Sequence, residues 1–254
     1  MPTSKEHLWS GSQRIGNRCL SGACPECNRA LQRFFVNECD TLLKMEFPSE
    51  GKVAVSLVCE LRDHLGLGSL EAFHRKAKRL LRDAGVCFAF GGVDLSYNQD
   101  GRSPDAWALQ LWLIVPSDNR EAWEPRLRAL YPSTDRIKRP IKIQPFDGNL
   151  AGIAYALKTE FQRRVNFTQK KWANGVKRIC SNTSDQPLRV AERLELYPFL
   201  ESVELSARVF LLGARPTRTE QGISIVKLGR KSRNSDSAGD PELRSQGPMK
   251  DGQT

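Results

Sequence analysis

Three cysteines lie close together near the start of the chain, in the run Cys19-Leu-Ser-Gly-Ala-Cys24-Pro-Glu-Cys27. A Cys-Pro-x-Cys turn lets two thiolates converge on one ion, and the backbone amides that follow can donate hydrogen bonds to the sulfurs. Zinc suits such ligands, being soft, tetrahedral and redox-inert. A structural zinc also needs a fourth ligand. Cys39 follows Cys27 by twelve positions, about 18 Å along a helix at 1.5 Å per residue, so His7 is the better candidate. Three reduced thiols without metal, or redox chemistry at Cys24 and Cys27, are the competing readings. Seven cysteines, an odd number, and a polar Met1–Trp9 speak against a disulfide framework. They lead us to expect a reducing, cytoplasmic compartment. Cys59 and Cys87 fall in predicted strands and read as small core residues.

The second chemical feature is Tyr155-Ala-Leu-Lys158. Residues three apart on a helix share a face, which would place a phenol beside an ammonium. A tyrosine that attacks a phosphodiester needs an exposed hydroxyl and positive charge nearby. The surroundings are basic: between Arg136 and Arg178, eleven Lys and Arg residues face only Asp147 and Glu160. Arg136, Lys138, Arg139, Lys142, Arg163, Arg164, Lys170 and Lys171 are the candidate phosphate contacts, with Phe161, Phe167 and Trp172 interleaved for base stacking. The whole chain carries +10, a balance that favours a polyanionic partner over a membrane or a small substrate. No apolar run approaches the ~20 residues that span a bilayer, and no phosphate-binding loop or Ser-His-Asp set is present.

These groups need a scaffold, and the pattern predicts an α+β one. A flexible stretch is expected over 1–18. The knuckle and a helix over about 28–44 make a unit from 19 to 48. The main domain, 49–180, opens with a buried strand at Val53–Cys59. Ser69 and Gly85 bracket an amphipathic helix. A hairpin follows, with strands at Val86–Tyr97 and Trp107–Val115, in which Gly91-Gly92 suggests a bulge or a close backbone approach. A helix to Leu130, an edge strand at 139–145 between prolines, and a helix from Asn149 to about Arg164 complete it. The order β-α-β-β-α-β-α predicts a mostly antiparallel split-βαβ, or RRM-like, sheet with helices on one face. Residues 181–226 read as a helical extension, and 227–254 as a disordered tail.

Together, the cysteine knuckle ahead of the main domain, the strand at Val53–Cys59, the strand-helix order and Tyr155-x-x-Lys158 resemble the HUH superfamily of rolling-circle replication initiators and single-strand transposases. The resemblance spans roughly residues 19–165. It implies a cytoplasmic protein acting on single-stranded or origin DNA, cut by a tyrosine with a divalent ion, Mg²⁺ or Mn²⁺, held by a His-hydrophobic-His pair. In this chain Gln110 and Trp112 stand at the histidine positions. Indole nitrogen has no lone pair to offer a metal, so nicking is expected to be weakened or lost. Asp94 or Glu60 could join Gln110 in a rebuilt ion site. The other reading is an RRM-like nucleic-acid-binding protein without chemistry, acting on RNA or in regulation.

Overall fold

The structure, a computed structural model, describes residues 19–228 apart from 67, 100–103, 174, 175 and 221. The predicted flexible N-terminus, the fourth-ligand candidate His7 and nearly all of the predicted tail lie outside the described residues.

The main domain runs β1 (Lys52–Arg62), α2 (Leu70–Ala84), β2 (Ala89–Gln99), β3 (Ala106–Pro116), α3 (Arg120–Leu130), β4 (Ile141–Pro145), preceded by α1 (Pro25–Glu46). The first four strands stand in the order β4-β1-β3-β2, every pair antiparallel. Local chemistry accounts for these elements. The Ser69 Oγ accepts the Ala72 amide at 3.1 Å to start α2, and Gly85, at φ 98°, ends it in the left-handed region that glycine tolerates. Proline-flanked β4 takes the sheet edge, where a missing N–H costs least.

Helices cover both faces, not one. The α2 residues Leu70, Phe73 and Leu81 pack with Trp123 and Leu127 of α3 on the side of Trp107, Leu109, Leu111 and Leu113. On the other side, the α1 stripe of Leu31, Phe35 and Leu42 meets Ala54, Phe90 and Ile114. A 22-residue helix with a buried stripe at spacings of four and seven has to bury that stripe somewhere, and the second face is the one left.

The larger departure lies after residue 149. Asn149 caps a helix as expected, its Oδ1 accepting the Ala151 amide at 2.9 Å. That helix, α4 (Leu150–Tyr155), stops well before the expected end near Arg164. Two long strands follow, β5 (Gln162–Ala173) and β6 (Val176–Pro187), then α5 (Val190–Ser202), a 3-10 turn at Leu205–Arg208, and strands β7 (Val209–Leu212), β8 (Ala214–Thr219) and β9 (Gly222–Lys227). The expected helical extension over 181–226 thus keeps one helix, α5, and the rest of its regular structure is mainly strand. β5 joins the sheet parallel to β2 through Ser96–Gln99. β7 pairs the first part of the same β2 edge, antiparallel, at Ala89–Gly92. Among the described residues no helix is long and apolar enough to cross a membrane.

Candidate nucleic-acid interface

Strand alternation decides which side chains share a surface. On β3, Gln110 and Trp112 face the α1 side, away from the Leu109 and Leu111 core. The register sets Asp94 opposite Gln110, and Gly92 and Ser56 on either side of Trp112. Lys142 of β4 stands next in that row. A polar half of the sheet results, bounded by β4 on one edge and β5 on the other.

Over it lies the turn that carries Tyr155 and Lys158. Tyr155 is the last residue of α4, and Lys158 follows the helix instead of belonging to it. The Lys158 amide still donates to the Tyr155 carbonyl at 3.2 Å, so the three-residue spacing keeps the two together. The ammonium lies 5.5 Å from the Tyr155 ring centre. The ring meets Trp112 edge-on, centroids 4.9 Å apart, and the Trp112 indole donates to the Gly152 carbonyl at 2.9 Å. Gly92 is what lets this turn sit so close. A Cβ there would overlap the Ala156 carbonyl oxygen and Leu157, so the Gly91-Gly92 signal marks a close approach, and the β2–β3 register runs through it unbroken.

Beneath the tyrosine is a buried charged centre. Asp94, 2 % exposed, takes the Lys158 ammonium at 3.0 Å and the Gln110 amide at 2.6 Å on the same Oδ2. The other carboxylate oxygen has no hydrogen-bond partner among the described residues. The Gln110 carbonyl oxygen receives Arg164 at 3.5 Å. Glu60 plays no part: it is paired to Leu109 by register, hence on the opposite face, and bonds Arg62 at 2.7 Å.

One group that the sequence did not single out organises the centre. Arg208, 1 % exposed, donates to the Asn28 Oδ1 and to the Lys158 carbonyl, each at 2.7 Å. Burial pushes its pKa down to about 10, and the nearby Asp94 charge opposes that shift. Asn28 in turn donates to the carbonyls of Gly22 and Cys24 at 2.7 and 2.9 Å. A continuous set of hydrogen bonds thus runs from the cysteine knuckle to the Lys158 turn.

In the knuckle, Cys19, Cys24 and Cys27 bring their sulfurs within 4.8 Å of one another and could hold a metal ion. Sulfurs around a tetrahedral zinc with bonds of about 2.3 Å stand about 3.8 Å apart, and Cys19 and Cys27 are 3.7 Å apart. The backbone reverses at Leu20, φ 53°, to return Cys19 to the start of α1. The Cys27 amide hydrogen bond holds the Cys24 thiol below its ordinary pKa, whereas burial pushes Cys27 up to about 11. Cys39 is fully buried on α1 and does not join the cluster, in line with its distance from Cys27. Cys87 is exposed, because β2 starts two residues later, and so is not the core residue expected.

The structure divides the basic segment in two. Arg136, Lys138, Arg139 and Lys142 are exposed at the β4 edge, where Arg136 reaches Asp63 at 3.5 Å and Lys138 reaches Asp135 at 3.0 Å. Arg164, Lys170 and Lys171 belong to β5, between β2 and β6 on the far side of the sheet. Arg163 is no phosphate contact: it is 3 % exposed and paired with the buried Glu192 at 3.0 Å. Phe161 is half-buried under the Arg208 guanidinium, 4.9 Å from its ring, which leaves Phe167 and Trp172 as the exposed aromatics of this group.

The donors on this face do not fit a divalent ion. Trp112 only donates, and the Gln110 oxygen already accepts a guanidinium. The charge of Asp94 is met by Lys158. No protein-family model, no curated protein and no solved structure matches the chain.

Proposed function

We propose that this chain binds single-stranded DNA across the polar half of the sheet, as a replication-initiator-like protein in which metal-dependent nicking is weakened or lost. The observation that carries the reading is the gathering of Tyr155, Trp112, Lys158 and Gln110 on one sheet face, flanked by the basic residues of β4 and β5. The antiparallel order β4-β1-β3-β2 with its βαββαβ connections supports a split-βαβ, RRM-like core, here with α1 and the Tyr155 turn laid over the polar face. Tyr155, 41 % exposed, offers a ring for stacking, and Lys142 and Arg164 flank it for phosphates. Binding to a labelled single strand should weaken steeply with salt. Lys142→Glu with Arg164→Glu should cut affinity for all sequences alike. The slope of log K against log salt should flatten by about 0.7 for each phosphate no longer neutralised. Affinity unchanged by that pair would mean the face is only solvated.

For the knuckle we assign zinc, on three sulfurs within 4.8 Å of one another, one pair of them at the 3.7 Å that a tetrahedral ion sets. Elemental analysis should find one zinc per chain. Cys24→Ala should release it and unravel the knuckle while most of the sheet persists, because so small a site depends on its ion. Well under half an equivalent of zinc in purified protein would overturn the assignment.

A further inference from the structure

Resting on the zinc and single-strand readings above, we propose that Asn28 is a positioning residue through which the ion in the knuckle sets the Lys158 turn. Occupancy of the knuckle then regulates how well the sheet face engages a strand. Cys24 caps the N-terminus of α1 and Cys27 lies in its first turn, while Cys19 precedes both. An ion held by all three closes the loop 20–23 against the helix. Leu20 sits at φ 53° in that loop, a conformation that costs energy for a residue with a Cβ, so the loop relaxes once the sulfurs are untied. Gly22 leaves it little room to do so in place, since a Cβ there would stand 2.5 Å from the Leu200 carbonyl oxygen of α5.

Asn28 joins that loop to the site. Its side chain is buried, 5 % exposed. The amide nitrogen donates to the Gly22 and Cys24 carbonyls at 2.7 and 2.9 Å, and the amide oxygen accepts from Arg208 at 2.7 Å. Moving Gly22 away strands a buried donor and frees the amide to turn. Arg208 has little to absorb that with. Its Nε already lacks a hydrogen-bond partner among the described residues, so without Asn28 the guanidinium keeps the Lys158 carbonyl and the face of Phe161. A buried cation short of acceptors shifts or draws in water, and the turn it holds loosens. Gln32, donating from α1 to the Ala154 and Leu157 carbonyls at 2.9 and 3.3 Å, keeps that turn attached. What changes is where the Tyr155 ring and the Lys158 ammonium stand. A strand must then order the turn itself, which lowers its affinity.

The test follows two signals in the full chain before and after a chelator strips the zinc: hydrogen exchange of a peptide spanning 153–161, read by mass spectrometry, and anisotropy of a labelled single strand. Stripping should speed exchange at Ala156, Leu157 and Lys158, whose amides bond within the turn, by about tenfold. It should weaken strand binding about as much, an ordinary size for coupling between two sites. Exchange in α2, on the opposite face, should not change. Asn28→Ala should resemble the stripped parent even when zinc is bound. Asn28→Asp keeps an oxygen for Arg208 but has no donor for the knuckle carbonyls, so its turn should stay protected and respond to the chelator less than about twofold. An Asn28→Asp chain that responds like the parent, or whose turn is loose with and without zinc, would overturn the proposal. Faster exchange in α2 as well would overturn it by showing that the ion supports the whole domain. A parent that holds zinc and ignores its loss overturns this proposal alone, whereas a parent that holds none takes the zinc assignment down with it. Exchange that follows the ion in a chain with no affinity for single strands would uphold the coupling and sink the sheet-face reading.

Discussion

Arg208→Met should cost the chain about 3–5 kcal/mol of stability, the range for removing one partner from a buried ionic cluster. Methionine nearly fills the volume, so the loss is electrostatic and not a cavity. The Asn28 Oδ1 and the Lys158 carbonyl would each be deprived of a 2.7 Å donor. Asp94, buried and with one oxygen already lacking a partner among the described residues, would keep Lys158 but forfeit the guanidinium charge. Burying an unsatisfied acceptor costs roughly 1–3 kcal/mol by itself, so two of them account for most of the effect. Urea unfolding followed by circular dichroism measures it, with exposed Arg215→Met as the control, expected within about 0.5 kcal/mol of the parent. A change at Arg208 as small as the control's would show that the cluster is compensated by water and contributes little.

Mixed with a labelled single strand and Mg²⁺ or Mn²⁺, the chain should give little or no covalent Tyr155 adduct on a denaturing gel. Lewis-acid polarisation of a phosphate is worth several kcal/mol, on the order of a thousandfold in rate. Here the groups in the way of an ion are specific. Trp112 spends its N–H on the Gly152 carbonyl, and Lys158 spends its charge on Asp94 at 3.0 Å. An ammonium so matched adds little net field at a phosphate. Replacing Gln110 and Trp112 with histidines puts two imidazoles on one strand face, two residues apart, next to Asp94. That double variant should gain a Mn²⁺-dependent adduct by about a thousandfold, and Tyr155→Phe should abolish it. A strong adduct from the parent chain, absent in Tyr155→Phe, would refute this account and show that Asp94 and Gln110 already hold an ion.

The core of the fold is readable where burial and punctuation coincide. β1 is a β-branched run after Gly51, α2 sits between a serine cap and a glycine stop, and β4 lies between prolines; each appears within a few residues of its expected place. The start of β5 reads as helix because the strand is polar on both sides, so neither alternation nor an apolar stripe marks it. One signal is there: Asn174-Gly175 separates the paired residues Ala173 and Val176, and that dipeptide between two runs favours a two-residue hairpin. The site is half legible. Tyr155, Lys158, Gln110 and Trp112 do meet. Arg163 looks like a phosphate contact because its partner Glu192 is 29 positions away, beyond any local pattern. Arg208 is invisible for the same reason, its bond to Asn28 crossing 180 positions.

That long reach bears on the order of events during synthesis. The ribosome delivers the cysteines, Tyr155 and Lys158 well before Arg208, which comes 50 residues after Lys158. At roughly 5–20 residues per second the delay is about 3–10 s. Until then nothing fastens α1 to the Lys158 turn through a guanidinium, and the Glu38 carboxylate lacks Ser224 and Ile225, its partners on β9. A nascent or prematurely terminated chain ending at β6 therefore carries the residues gathered on the polar face, and the Gln32 bonds from α1 to the Ala154 and Leu157 carbonyls, but not the Arg208 clamp. On the proposed reading, full competence to engage DNA arises only once the chain has reached β9, which keeps translation products cut short before it from occupying the target.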